Sequence, residues 1–275
     1  LCLEGHADWF AENDITWSVL MKSFYEPLFE PDSMDFICSY ICLHWLDTEG
    51  GTRNWKSLHL GKEGNDHPSL ANFTFVTEVT APKSLKEIWR TELANVHLAK
   101  FFALRARELR PGAEALVVMV GGPNQFIVPS PDAASPLTQA MRRCVGRGIL
   151  REEVLRRCVV PYYPRTEDDL REAFKLASKI GTDGAAGTPG APLQLVDVRS
   201  YSSFIGDGES LDGSFELFWA IHSGSVWAAD PTEEEMGHIR REARLLFDEL
   251  YDVKEGIAVT FMACVIRRRT RKQWI

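Results

Sequence analysis

The stretch from Lys22 to Leu46, KSFYEPLFEPDSMDFICSYICLHWL, restricts the fold more than any other part of the chain. A turn at Glu30-Pro31-Asp32-Ser33 is followed by a short apolar segment, Asp35 to Leu43. Such a run, bounded by turn residues, has the pattern of a strand buried on both faces of a parallel sheet. His44 and Trp45 come directly after it and read as an exposed pair at its carboxyl end. Open α/β sheets bind ligands at that end, so two side chains with ring N–H donors are informative there.

The rest of the chain supplies other parts of such a sheet. Ile15 to Met21 reads as a strand whose carboxyl-end loop is Lys22 to Tyr25. Ser84 to Leu109 reads as a helix, with Leu85, Ile88, Trp89, Leu93, Val96, Phe101 and Leu104 at helical spacing and a capping-box pattern at Ser84 and Glu87. Arg110-Pro111-Gly112 should stop it, and Ala115 to Val120 reads as the next strand, closed by Gly121-Gly122-Pro123 at the same edge as Ser23 and Trp45. Helix, turn and buried strand in this order form a parallel βαβ unit. Short helices follow at Leu137 to Val145, Arg151 to Arg157 and Glu167 to Ile180, the last capped by Thr166. Leu193 to Tyr201 and Ile257 to Ile266 read as strands, with helices at Phe215 to Ala228 and Glu233 to Tyr251 between them. The expected organisation is a core over residues 1–122, a helical cap over 123–190, a core strand over 191–206, more cap over 207–252, and a core strand with a basic tail over 253–275.

Composition narrows the classes of function. With 45% hydrophobic and 11% aromatic residues, 275 positions hold enough apolar material for one large core and an aromatic-lined pocket. A net charge of −8 argues against a nucleic-acid partner, because phosphate contacts need a basic surface. The basic run Arg267 to Lys272 reads as a solvated end. No apolar stretch approaches the roughly 18 residues of a membrane span, so no membrane partner is expected. Six cysteines at scattered spacings look like reduced thiols of a cytoplasmic protein rather than a disulfide framework. His59 and His67 have no carboxylate or thiol at ligand spacing, so no metal is expected. Gly181 to Gly190 has no apolar strand before it and no Lys-Ser/Thr after it, and reads as a surface connection rather than a phosphate loop.

Two motifs carry a resemblance. The SFY-x-x-LF-x-P-x-S run from Ser23 to Ser33 and the S-x-x-x-LHWL run from Ser39 to Leu46 resemble the SABATH family of plant-type carboxyl methyltransferases and N-methyltransferases. RELRPGAEALVVMVG, Arg107 to Gly121, and the stretch from Gly146 to Phe174 extend the likeness. The resemblance implies an α/β fold, a Rossmann-like class I methyltransferase sheet with an α-helical cap. It also implies S-adenosylmethionine as methyl donor and a small-molecule carboxylic acid as substrate. Ser23 and Phe24 match positions that contact the adenosine, and Ser39 and Tyr40 lie where the family chain passes the donor's methionine part. Trp45 matches the residue that binds the substrate carboxylate together with a Gln of the N-terminal region, and His44 lines the same site. Tyr163 matches the tyrosine of a P-x-Y motif and is a further pocket candidate. Ile41 stands where the family has a tyrosine, and Ala133 or Ala134 where it has a cap aromatic, so the pocket is reshaped. Arg156, Cys158 and Val159 replace the oxygen ligands that some members place near a structural magnesium.

Methyl transfer to a carboxylate needs no general base, because the acid is already ionised at neutral pH. The protein's contribution is to clamp the acid and aim one oxygen at the methyl group. The leading reading is a methyl ester of a small, largely apolar acid. N-methylation of a heterocycle is the alternative within the family. A non-catalytic relative, whose cap serves as a binding or dimerisation module and can form a homodimer, is the alternative outside it. The chain opens at Leu1 without Met and lacks the family's D-x-G-C-x-x-G-x-N-like loop; Glu4 stands where a ribose-binding acid could follow a strand but reads rather as an ordinary surface acid. The expectation is therefore that residues 1 to 275 alone bind S-adenosylmethionine weakly or not at all. Comparing the thermal midpoint with and without millimolar S-adenosylhomocysteine checks this: saturation at 100 times the dissociation constant adds about 2.7 kcal/mol, so a clear upward shift would show a complete pocket.

Overall fold

The computed structural model describes residues 12–14, 16, 20–46, 74, 75, 81, 83–122, 124–129, 133–180, 193–205, 210–252 and 256–270. Glu4, His59, His67, Gly181 to Gly190 and most of the strand expected at Ile15 to Met21 lie outside the described residues; Thr16, Leu20 and Met21 are described and belong to no strand.

Four strands form one sheet in the order β1-β2-β4-β3, with β1 at Met34–Tyr40, β2 at Leu109–Val120, β3 at Leu193–Ile205 and β4 at Ile257–Arg268. β1 and β2 pair in parallel, Ile37 opposite Ala115 and Tyr40 opposite Val118. β4 runs antiparallel to both of its neighbours. β1, β2 and β3 therefore share one direction and end at one edge. The crossover from β1 to β2 contains α1 (Lys83–Ile88), a π-helical stretch (Trp89–Ala94) and α2 (Asn95–Glu108). α1 begins at Lys83, before the expected cap at Ser84, and Glu87 pairs with Arg90 at 2.8 Å instead. β2 starts directly after α2. Pro111 cannot donate to the ladder and Gly112 takes a φ of 92°, so the register jumps from Met34 opposite Leu109 to Phe36 opposite Glu114.

One sheet face packs against α2 and α5 (Glu167–Ala177), where Leu98, Phe102, Val117, Met119, Leu170 and Ala173 share a core. The sequence places α5 in the cap. Its buried stripe of Leu170, Ala173 and Ala177 instead joins the sheet layer. Thr166 caps it as expected, in a capping box closed by Asp169. A second core unites α3 (Pro136–Gly146), α4 (Glu152–Arg157), α6 (Asp212–Trp227) and α7 (Glu233–Leu250) above Val120, Ile257 and Val259 at the sheet edge. These four helices are the cap.

Two expectations need correction. β1 buries Ile37 and Ser39, but Phe36 and Tyr40 on its other face are 55% and 65% exposed, so it is an edge strand with one open face among the described residues. The basic run is also not simply a solvated end. Arg267 and Arg268 belong to β4, where Arg267 pairs with Glu114 and Arg268 meets Asp32 and the carbonyls of Arg107 and Leu109.

The Ser23 turn is anchored from inside the sheet layer. Arg105 and Glu108, each 1% exposed, pair at 2.7 Å on α2. Arg105 donates to the carbonyls of Phe24 at 3.2 Å and Glu26 at 2.9 Å, while Glu108 accepts the amides of Leu28 at 2.8 Å and Phe29 at 3.3 Å. Removing one partner strands a buried charge. Arg105→Leu is therefore expected to lower the unfolding free energy by about 3–5 kcal/mol, and Arg105→Leu/Glu108→Leu to recover part of that loss. Urea denaturation measures both, and equal losses would show that the isolated charge is not the cause.

Candidate functional site

The site begins where β1 ends. Ile41 takes a φ of 50°, a costly conformation for a β-branched residue, with its amide bonded to the Val118 carbonyl at 2.8 Å. The reversal sends the next residues away from the sheet and against the segment from Pro161 to Arg165. Leu46 N–H donates to the Pro161 carbonyl and Tyr163 N–H to the His44 carbonyl, each at 2.8 Å, and Trp45 bridges to Tyr162. Arg165 N–H donates to the Val120 carbonyl at 3.1 Å, and its buried guanidinium donates to the Leu43 carbonyl through Nη2 at 3.1 Å. Gly121 makes room for this crossing: a Cβ there would lie 3.3 Å from both the Arg165 carbonyl and the Thr260 methyl.

A cavity of about 250 Å³ opens above this edge, between the strand ends and the cap. Ile41, Val120, Ile205, Val259 and Phe261 line it from the sheet side, and Phe126, Ile127, Leu217 and Ile221 from the cap side. The polar groups on its wall are His44, Trp45, Asn124, Tyr162 and His222. Its volume is near the lower end for small-molecule sites, which suits a compact ligand.

The protonation and bonding of these groups follow from burial. His44 is 5% exposed rather than open to solvent as the sequence suggested, with its ring 5.1 Å from Trp45 and 5.4 Å from Tyr162. Burial, with the nearby Arg165 charge and His222, lowers its pKa from 6.5 to about 3, so the ring is neutral at pH 7. Its Nδ1 is buried without a hydrogen-bond partner among the described residues. His222 is fully buried on α6, and burial lowers its pKa to about 4. Asn124 Oδ1 accepts the Phe126 amide at 3.0 Å, which fixes the side-chain amide so that Nδ2 donates to the Tyr162 hydroxyl at 2.8 Å. Tyr162 is thus an acceptor in that bond and keeps its own O–H as a donor.

Of the substrate-site residues expected from sequence, Ile41, His44 and Trp45 meet at this cavity. Tyr163 does not line it. It packs against the buried cluster that holds Leu46 and Trp89, its ring 5.5 Å from the Arg165 guanidinium, and its neighbour Tyr162 faces the cavity instead. Sequence reading missed Tyr162, Asn124 and His222. His222 sits alone in the apolar run FELFWAIHSG, where no spacing marks it, and Asn124 adjoins a turn.

The four donor-site candidates lie outside the cavity. Ser23 is exposed, and its Oγ accepts the Tyr25 amide at 3.2 Å, which leaves its O–H for a ligand. Phe24 is half-buried with its ring 4.5 Å from Tyr25, Ser39 Oγ lies 3.2 Å from Cys42 Sγ, and Tyr40 presents an exposed ring. A free hydroxyl and an open aromatic face, which attracts cations, fit a nucleoside carrying a sulfonium. Tyr25 links the two groups, donating its O–H to the Trp45 carbonyl at 2.8 Å.

Both buried histidines make stability depend on pH. Their folded pKa values, about 3 and about 4, lie below the ordinary 6.5, so the unfolded chain binds more protons as pH falls below 6.5. Their contribution is complete above that value and declines down to the folded pKa values. Stability is expected to drop by about 2 kcal/mol per histidine between pH 6.5 and pH 5. Urea midpoints across that range check this, and His222→Gln should flatten the dependence.

A search of the curated proteins finds no sequence match. Among solved structures the chain is similar to a loganic acid methyltransferase with S-adenosylhomocysteine, at a TM-score of 0.61 and 15% identity, covering 94% of this chain and 68% of that one. That likeness shows the fold, a class I methyltransferase sheet with a helical cap. Phosphoethanolamine N-methyltransferase 2 of Haemonchus contortus is more distant, with a TM-score of 0.34 and 12% identity over 90% of this chain and 36% of that one. A family model described as SAM dependent carboxyl methyltransferase matches residues 5–180. On that match, which spans well over half of its length, the chain belongs to the S-adenosylmethionine-dependent carboxyl methyltransferase family.

Proposed function

We propose that this protein methylates the carboxylate of a small, largely apolar acid seated in the cavity between Trp45 and α6. The observation that carries the reading is the cavity itself: apolar walls, a position at the carboxyl ends of parallel strands, and N–H and O–H donors at Trp45 and Tyr162. S-adenosylmethionine, when bound, supplies an electrophilic methyl group. Ser23, Phe24, Ser39 and Tyr40 are the residues of this chain that would hold it. Trp45 donates to one carboxylate oxygen and fixes the acid's orientation, and Tyr162 offers the second donor. In a dry cavity such bonds are worth more than in water. Neutral His44 adds shape and a ring nitrogen without a competing positive charge. The five cysteines among the described residues are free thiols, which supports a cytoplasmic location.

Trp45→Phe keeps the ring and removes the donor. With millimolar S-adenosylmethionine and benzoate-type acids, it is expected to lower kcat/KM for S-adenosylhomocysteine release by roughly 10- to 100-fold. Xanthine-type bases in parallel wells should show no turnover. Turnover of the bases alone would move the reading to N-methylation, and an unchanged kcat/KM in Trp45→Phe would remove the carboxylate clamp.

A further inference from the structure

The cavity has no charged side chain on its wall among the described residues: its polar groups are Trp45, Asn124, Tyr162 and two histidines that are neutral at pH 7. Donors on the wall replace part of the water that a carboxylate gives up, but an anion in apolar surroundings also needs a countercharge within reach. Such a charge stands behind the wall. Arg165 is 0% exposed. Burial lowers its pKa, yet a guanidinium remains protonated at pH 7. Its amide donates to the carbonyl of Val120, which lines the cavity, and its Nη2 donates to the carbonyl of Leu43, the residue before His44 and Trp45, each at 3.1 Å.

The groups around this guanidinium do not neutralise it by contact. Both carbonyls are neutral. Tyr163, its ring 5.5 Å away, is neutral as well, because burial pushes its hydroxyl up to about 12, and Tyr25 keeps its hydrogen in the bond to the Trp45 carbonyl. Asp169 attracts Arg165, but its carboxylate binds the Thr166 amide at 3.0 Å, the Thr166 hydroxyl at 2.7 Å and Arg90 at 3.4 Å. Arg105, the other buried arginine among the described residues, differs: Glu108 touches it at 2.7 Å. The Arg165 field also reaches the wall, since after burial it is the largest cause that holds the His44 ring below its ordinary pKa. We propose that Arg165 is the fixed countercharge of the substrate carboxylate, a positioning residue that never touches the ligand and makes the cavity select ionised acids over neutral molecules.

The inference rests on the carboxyl methyl transfer proposed above and names what makes that site choose an anion. Leu43 and Trp45 are two residues apart, so guanidinium and carboxylate lie on the order of 10 Å from each other. At an effective dielectric constant of about 20, their attraction amounts to roughly 10- to 20-fold in affinity. Methylation turns the carboxylate into a neutral ester, so the field favours the bound acid over both the transition state and the product. Arg165 therefore lowers KM without raising kcat, and its hold ends once the ester has formed.

The test compares each acid with neutral molecules of the same shape. Benzoate and cyclohexanecarboxylate, their carboxamides and their methyl esters are titrated calorimetrically at pH 7 in the presence of S-adenosylhomocysteine. The acids are then assayed as methyl acceptors. The wild type is expected to bind each acid more tightly than its amide and its ester by roughly 10-fold or more. Arg165→Gln, which keeps a donor for the Leu43 carbonyl and removes the charge, should cut that preference by roughly 10- to 20-fold, with amide and ester affinities within a few-fold. In turnover the same variant should raise KM and leave kcat undiminished. Arg165→Lys, which keeps a cation, should restore part of the preference. A loss in Arg165→Gln that weakens acid, amide and ester alike is a loss of structure only and overturns the proposal, and so does a wild type that binds acid and amide equally. The wild-type comparison needs no variant, so a poorly folding Arg165→Gln leaves the test intact. Calorimetry separates the two proposals: a preference lost in Arg165→Gln without methylation of any acid supports Arg165 and refutes carboxyl transfer, methylation with a preference that survives in Arg165→Gln does the reverse, and no binding by any of these ligands refutes both.

Discussion

The arrangement of the site depends on the pairing of the Leu43–Leu46 turn with the segment from Pro161 to Arg165. The turn has little hydrogen bonding of its own. Its backbone is held by Leu46 to Pro161 and Tyr163 to His44, and Arg165 adds a side-chain bond to the Leu43 carbonyl. A fully buried guanidinium is expensive to desolvate, and burial lowers its pKa. The cost is offset by the Leu43 carbonyl, by the Tyr163 ring at 5.5 Å and by the attraction of Asp169. Arg165 also stands just before the capping box of α5 and itself bridges to Gly121 at the end of β2. One residue thereby joins the end of β2, the motif turn and the start of a core helix.

The two motifs that make the chain recognisable are joined through a second buried network. Arg105 and Glu108 bind the backbone of the Ser23 turn from α2, and Tyr25 carries that order across to Trp45. The distance between motifs in sequence is thus bridged by hydrogen bonds to main-chain atoms, which depend on the path of the chain more than on the side chains displayed. A donor molecule near Ser23 and an acid near Trp45 would share this frame, and methyl transfer requires such mutual positioning.

The cavity wall is chemically asymmetric. The side formed by the motif turn and strap offers donors, at Trp45 and Tyr162, whereas α6 adds the His222 ring, whose Nδ1 donates to the Phe218 carbonyl of its own helix. Both histidines are neutral because they are buried among aromatic rings. The same burial that destabilises the protein in acid thus keeps positive charge off the cavity wall. The φ of 50° at Ile41 is a second local cost, tolerated because the Val118 carbonyl and the strap hold the reversal in place.

Much of this was legible in the sequence. The apolar run after Glu30-Pro31-Asp32-Ser33 marks β1, the helical spacing from Leu85 marks the crossover, and Thr166 marks the start of α5, because each is a local pattern set by backbone geometry. The convergence of Ile41, His44 and Trp45 follows from their place after a strand of a parallel sheet. Other features depended on contacts distant in sequence. That Tyr162 rather than Tyr163 faces the cavity is decided by the strand-like pairing of the strap with Trp45, which alternates the two rings to opposite sides. The sequence marks His222 only as a histidine in an apolar helix. Its burial and its bond to Phe218 exist only once α6 is laid over the strand ends. The sequence by itself determined the family, the strand and helix pattern and the motif turn, since these rest on local order along the chain. The tertiary structure decided which ring faces the cavity, which ring nitrogen of His222 carries the hydrogen and which charge is buried, since desolvation and tautomer depend on neighbours that the chain brings together only by folding.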